Sequence, residues 1–160
     1  GWIRIQKTDT LDTELMGKQD AVAREELLSQ SRPFAESIGP WVLGHSRLGH
    51  LQLASPDDAR RLDELFTILF PGSNRDRPNL QSLRDTMHIA TAIKYCADAF
   101  ITREKRLLNK SDRVLEAHGL RILTPEDAMA VARSRIVSVV RRRDVTGTPN
   151  WIPMWLPEKC

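Results

Sequence analysis

With 160 residues, 41% hydrophobic and 28% charged, the chain has the size and balance of one globular domain rather than of a disordered or fibrous protein. No run nears the roughly 18 apolar residues of a membrane span, and Gly1-Trp2-Ile3-Arg4 opens no signal-peptide apolar stretch, so a cytoplasmic protein without membrane contact is expected. A net charge of +3 is compatible with a phosphate-bearing partner but demands none, and Cys96 and Cys160, without Cys-x-x-Cys or Cys/His spacing, indicate neither a disulfide framework nor a zinc site.

Trp2 to Gln6 alternates apolar and polar residues around Ile3 and Ile5, which predicts a short strand, then a turn at Thr8-Asp9-Thr10 and a helix from about Leu11. A second helix spans Ala21 to Gln30 and ends before Pro33, whereas Pro33 to Ser55, with Gly39, Pro40, Gly44 and Gly49, shows no clear period. Ser55-Pro56-Asp57-Asp58 announces the next helix with a hydroxyl cap, proline at the first position and a carboxylate three residues after the cap. Leu62, Leu65, Phe66 and Leu69 continue it at helical spacing as far as Pro71-Gly72. After a polar loop from Ser73 to Gln81, Ser82-Leu83-Arg84-Asp85 opens a helix whose apolar face is Ile89, Ala92, Ile93 and Cys96, the cysteine being expected in the core.

Ala99 to Thr102 reads as a short buried strand and Arg103 to His118 as a charged turn and broken helical region closed by Gly119. Leu120 to Leu123 is a further strand, and Thr124-Pro125-Glu126-Asp127 caps a helix to about Val140. Alternating helix and strand make a parallel sheet covered by helices the economical architecture. Residues 1–140 thus form one α/β domain, and 141–160 a basic, Pro- and Trp-containing extended tail.

The chemistry concentrates in Asp85-Thr86-Met87-His88-Ile89-Ala90-Thr91-Ala92 and, 19 residues beyond Asp85, in Glu104 of Thr102-Arg103-Glu104-Lys105. Ligands of parallel α/β sheets gather outside the carboxyl ends of the strands, so both acids can meet at one edge. An aspartate opening a small-residue helix, a strand ending in threonine-x-acid and a strand running into Leu123-Thr124-Pro125-Glu126 together resemble the PIN-domain nucleases. The resemblance covers the 47 residues from Leu83 to Met129 well and the rest loosely.

That resemblance implies a three-layer α/β/α domain with a central, mainly parallel sheet, acting as a metal-dependent ribonuclease. Asp85 then becomes a metal-binding acid, Glu104 stands where the family more often has aspartate, and Glu14-Leu15 offers the family's helix-borne glutamate. The family's first acid, at the end of a first strand, has three possible fates here. It is missing, it is replaced by Asp9 or Asp12, or Ile3 to Ile5 is itself the first strand, with Asp9 the first acid and Glu36 or another carboxylate the second. The implied cofactor is Mg²⁺ or Mn²⁺, hard cations that take oxygen ligands, activate water and stabilise phosphate charge. RNA is the implied substrate, an antitoxin or inhibitor protein and a second copy of the chain are possible partners, and a catalytically incomplete module binding RNA or protein is the alternative.

Each residue also has a plainer reading. Asp85 could complete a capping box with Ser82, Glu104 could be a solvated turn acid, and Asp9, Asp12 and Glu14 could be helix-start carboxylates. His88, three residues after Asp85, shares its face and could orient an acid, with Thr102 beside Glu104 in a supporting role. Arg103, Lys105 and Arg75 are candidates for holding the phosphate backbone.

Overall fold

A computed structural model describes residues 3–39, 55–73 and 78–146, with side chains through residue 139. The first strand, β1 (Gln6–Thr8), leads directly into α1 (Asp9–Met16). Both are displaced from expectation: the strand follows Ile3 and Ile5, which are exposed, instead of containing them, and the helix begins at Asp9, where a turn was expected. Thr8 is the helix N-cap by backbone geometry but makes no side-chain cap, because its hydroxyl is bonded to His88.

Helix α2 (Ala21–Ser31) matches the sequence reading and starts at Asp20, whose side chain accepts from the amides of Val22 and Ala23. It returns the chain to β2 (Ala35–Ser37), which pairs parallel with β1, Lys7 lying opposite Glu36. Sequence pattern misses β2, since three residues are too few to show a period.

Helix α3 (Pro56–Leu69) has the expected capping box: the Asp58 amide donates to Ser55 Oγ at 3.1 Å, and the Ser55 amide to Asp58 Oδ2 at 3.2 Å. Leu62, Leu65, Phe66 and Leu69 are buried along one face, as their spacing requires. Helix α4 (Leu80–Lys94) starts earlier than expected, because Asn79 caps it by accepting from the Gln81 amide. Ser82 therefore lies inside the helix, and Asp85 sits in its second turn rather than in a capping box. Leu83, Met87 and Ala90 pack into a core with Leu62, Leu65 and Leu69.

Cys96 lies beyond the end of α4, exposed and with φ of 50°, so the core position expected for it is not observed. Helix α4 instead closes on Tyr95, and the chain turns towards β3 (Ala99–Ile101). The helices α5 (Lys105–Leu108) and α6 (Ser111–His118) connect β3 to its parallel partner β4 (Arg121–Leu123). Gly119, at φ 72°, provides the left-handed residue that ends α6. Ile101 is half exposed, which corrects the expectation of a buried strand.

The last helix, α7 (Pro125–Thr146), begins at the expected Thr124 cap, where the Asp127 amide donates to Thr124 Oγ1 at 3.1 Å. It continues beyond Val140, so residues 141–146, including Arg141 to Arg143, are helical rather than an extended arm. The residues beyond, with Trp151 and Trp155, lie outside the described set, as do His45, His50 and Arg75.

The described architecture is mixed α/β with short parallel strands in two separate two-stranded sheets, where one central sheet was expected. Between β1 and β3 opens a cleft of about 920 Å³, lined by Ile5, Phe34, Tyr95, Phe100 and Ile136 among others.

One contact fixes the N-terminal sheet closely. The Gly39 amide donates to Asp9 Oδ1 at 3.0 Å, and a Cβ at Gly39 would lie 2.3 Å from Thr91 Oγ1. Thr91 is fully buried, with its hydroxyl bonded to the Met87 carbonyl, and so cannot yield cheaply. Gly39→Ala is expected to lower stability by about 1–3 kcal/mol in urea unfolding, and adding Thr91→Ala to recover part of that loss.

Candidate metal and catalytic site

Helix α4 divides two environments: one face feeds the apolar core, while Asp85, His88 and Thr91, three residues apart, turn towards β1 and α1. His88 is held on both sides. Its Nδ1 is bonded to Thr8 Oγ1, and its Nε2 lies 3.2 Å from Glu14 Oε2. With a carboxylate accepting at Nε2, the neutral ring carries its proton there, and the Thr8 hydroxyl donates to Nδ1. His88 therefore orients Glu14 rather than binding Asp85, and it ties β1 and α1 to α4.

Asp85 is buried, and its Oδ1 accepts from Gln81 Nε2 at 2.9 Å, one turn earlier on the same helix. Its Oδ2, like Glu14 Oε1, is buried without a hydrogen-bond donor. Burial pushes the Asp85 carboxyl above its ordinary value, and the nearby charge of Glu14 adds to this; the Gln81 hydrogen bond and the Arg106 and His88 charges oppose it. Two acids from elements far apart in sequence thus share one electrostatic site.

Arg106 Nη2 stands 3.5 Å from Asp85 Oδ2, and Arg106 Nε donates to Glu104 Oε1 at 3.1 Å. Glu104 is exposed at the start of α5, and its amide donates to Thr102 Oγ1 at 3.0 Å. Glu104 therefore reaches Asp85 through the intervening guanidinium, not as a third member of a carboxylate cluster. The guanidinium holds the Glu104 carboxyl below its ordinary value, first through the side-chain hydrogen bond.

The two aspartates proposed as alternative ligands are engaged elsewhere. Asp9 follows β1 directly, is buried, and accepts from the amides of Thr10 and Gly39 at 3.0 Å, on the Thr91 side of the site. Asp12 is ion-paired with Lys7 at 2.8 Å and accepts from Ser31 Oγ. Glu36 lies on β2, the parallel neighbour of β1. Among the described residues no group of three or more His, Cys, Asp and Glu side chains is poised to hold a metal.

Of the basic candidates, Arg103 is paired with Glu126 at 2.8 Å, Lys105 is exposed at the start of α5, and Arg75 lies outside the described residues. Sequence reading missed Arg106, Gln81 and Thr8. Gln81 was findable, since it precedes Asp85 by four residues in a helix, but only once the helix start is moved back to Leu80. Thr8 carries no local signal, because His88 is remote in sequence, and Arg106 signals only its neighbour Glu104, not the distant Asp85. The 920 Å³ cleft borders Thr8 and His88, so the polar site opens beside an apolar hollow.

Compared with protein-family models, with curated proteins and with solved structures, the chain matches none.

The displaced Asp85 titration has a measurable sign. A carboxyl whose pKa is raised on folding favours the folded state below the ordinary value of 3.8, and this contribution is lost as pH rises through the raised value. Without divalent cation, Asp85→Asn is therefore expected to raise the urea midpoint at pH 7, with the gain shrinking as the pH falls towards 3.8.

Proposed function

We propose that the chain is a PIN-like, Mg²⁺ or Mn²⁺ dependent endoribonuclease in which Glu14 and Asp85 hold the cation. The observation carrying this reading is the pair of buried carboxylate oxygens, Glu14 Oε1 and Asp85 Oδ2, that have no hydrogen-bond donor. Buried carboxylate oxygens without donors are costly, and a hard cation taking oxygen ligands would satisfy both. When bound, such a cation supplies activated water and stabilises charge on the phosphate being cleaved. His88 fixes the Glu14 carboxylate through Nε2 and is itself fixed by Thr8, the kind of supporting contact that sets ligand orientation. Gln81 does the same for Asp85.

A second reading is favoured by one observation: among the described residues no group of three or more His, Cys, Asp and Glu side chains is placed to hold a metal. In that reading the chain is a catalytically incomplete PIN-like module that binds RNA or a protein partner.

Cleavage of a mixed-sequence single-stranded RNA with Mn²⁺ or Mg²⁺, against EDTA, separates the two. The enzyme reading expects metal-dependent cleavage that falls to background in Asp85→Asn and by about 10–100-fold in His88→Ala. Intact RNA with either metal and a folded protein removes the enzyme reading and leaves the binding module.

A further inference from the structure

Three basic residues lie within five positions after β3, and the structure treats them differently. Arg103 is committed to Glu126 on α7 at 2.8 Å, and Lys105 is exposed. Arg106 faces the acids: its Nε donates to Glu104 at 3.1 Å while its Nη2 remains 3.5 Å from Asp85 Oδ2.

A permanent arginine–carboxylate lock is usually bidentate, with two short parallel hydrogen bonds. Arg106 instead neutralises Asp85 as an ion pair at 3.5 Å without a hydrogen bond, so Asp85 Oδ2 stays without a donor. Its side chain is 53% exposed, whereas that of Asp85 is 8% exposed, so the guanidinium can leave towards solvent while the acid cannot follow. The short helix α5 starts on Lys105, which keeps the Arg106 backbone beside the site wherever its head goes.

Resting on the metal-site reading above, we infer that Arg106 is a displaceable counter-ion: a divalent cation at Glu14 and Asp85 expels its guanidinium, which then binds a phosphate of the nucleic acid. The physical basis is competition for one charge. Asp85 Oδ2 interacts with the guanidinium or with the metal, and two cations beside it repel each other. Once released, a planar guanidinium has the fork that suits phosphate oxygens, and Glu104, at the exposed edge, remains close enough to limit how far it swings. Metal loading and phosphate capture are thereby coupled through one side chain.

The test uses Arg106→Gln and Arg106→Lys beside the parent chain and Asp85→Asn. Mn²⁺ binding is measured by calorimetry without RNA. Removing a half-exposed competitor is expected to tighten Mn²⁺ binding in Arg106→Gln by about two- to fivefold, and Asp85→Asn to abolish it. Binding of a phosphorothioate single-stranded RNA is then followed against salt. With Mn²⁺, Arg106→Gln is expected to lower the slope of log affinity against log salt by about 0.7, one phosphate contact, and Arg106→Lys to keep it; in EDTA the parent and Arg106→Gln should have equal slopes. Equal Mn²⁺ affinity in parent and Arg106→Gln, or a slope difference that persists in EDTA, overturns the inference while leaving the metal site intact. Failure of the parent and Arg106→Gln alike to bind Mn²⁺ overturns the metal-site reading itself.

Discussion

The imidazole of His88 is the joint on which the site depends. It receives Thr8 from the end of β1 on one nitrogen and Glu14 from α1 on the other, and both elements meet the remainder of the molecule at α4. Because both ring nitrogens have a partner in either protonation state, the joint survives a change in charge: a protonated ring donates to the Thr8 oxygen as readily as a neutral ring accepts from it. The acid pair inherits its geometry from this joint. Glu14 stands near Asp85 because its other oxygen is tied to the histidine three residues along from Asp85.

Burial of Asp85 is tolerable for a reason that lies on the opposite side of the same helix. Leu83, Met87 and Ala90 anchor α4 in the apolar core with Leu62, Leu65 and Leu69, and this face decides where α4 sits. The polar face then has no freedom to turn its acid to water. Thr86 and Thr91, fully buried, return their hydroxyls to carbonyls one turn back, so these two threonines do not compete for the carboxylate oxygens. Two carboxylate oxygens left without donors on facing elements are what supports reading Glu14 and Asp85 as a functional pair.

Local chemistry made much of the fold legible. Ser55-Pro56-Asp57-Asp58 and Thr124-Pro125-Glu126-Asp127 contain their own cap partners, so each helix start is found where those residues require it. Gly119 likewise ends α6 by a conformation glycine reaches without cost. Where two caps competed, pattern reading chose wrongly: Asn79 outranks Ser82, which moves Asp85 into the second turn and brings Gln81 into its reach. The site was legible one residue at a time, in that Asp85, Glu14 and His88 are drawn together, but its wiring was not. Glu104 pairs with Arg106 two residues away and Asp12 with Lys7 five away, contacts that cross an element boundary, whereas Arg106–Asp85 and Asp9–Gly39 are tertiary contacts without local periodicity. The division of the strands into two sheets was equally hidden, since a three-residue strand carries no mark of its neighbour.

The span between the partners of His88 also orders the assembly of the molecule. The core cluster draws its residues from Leu62 to Ile122, joined by short connections, whereas Thr8 and Glu14 lie 80 and 74 positions from His88. Contacts that close short loops form more readily than those that close long ones, so the C-terminal half can collapse before the N-terminal strand and helix dock. A chain partly unfolded to that stage holds Asp85, Arg106 and Glu104 together but lacks Glu14. The pairing of the two acids therefore requires the docked N-terminal strand and helix, not the C-terminal core alone.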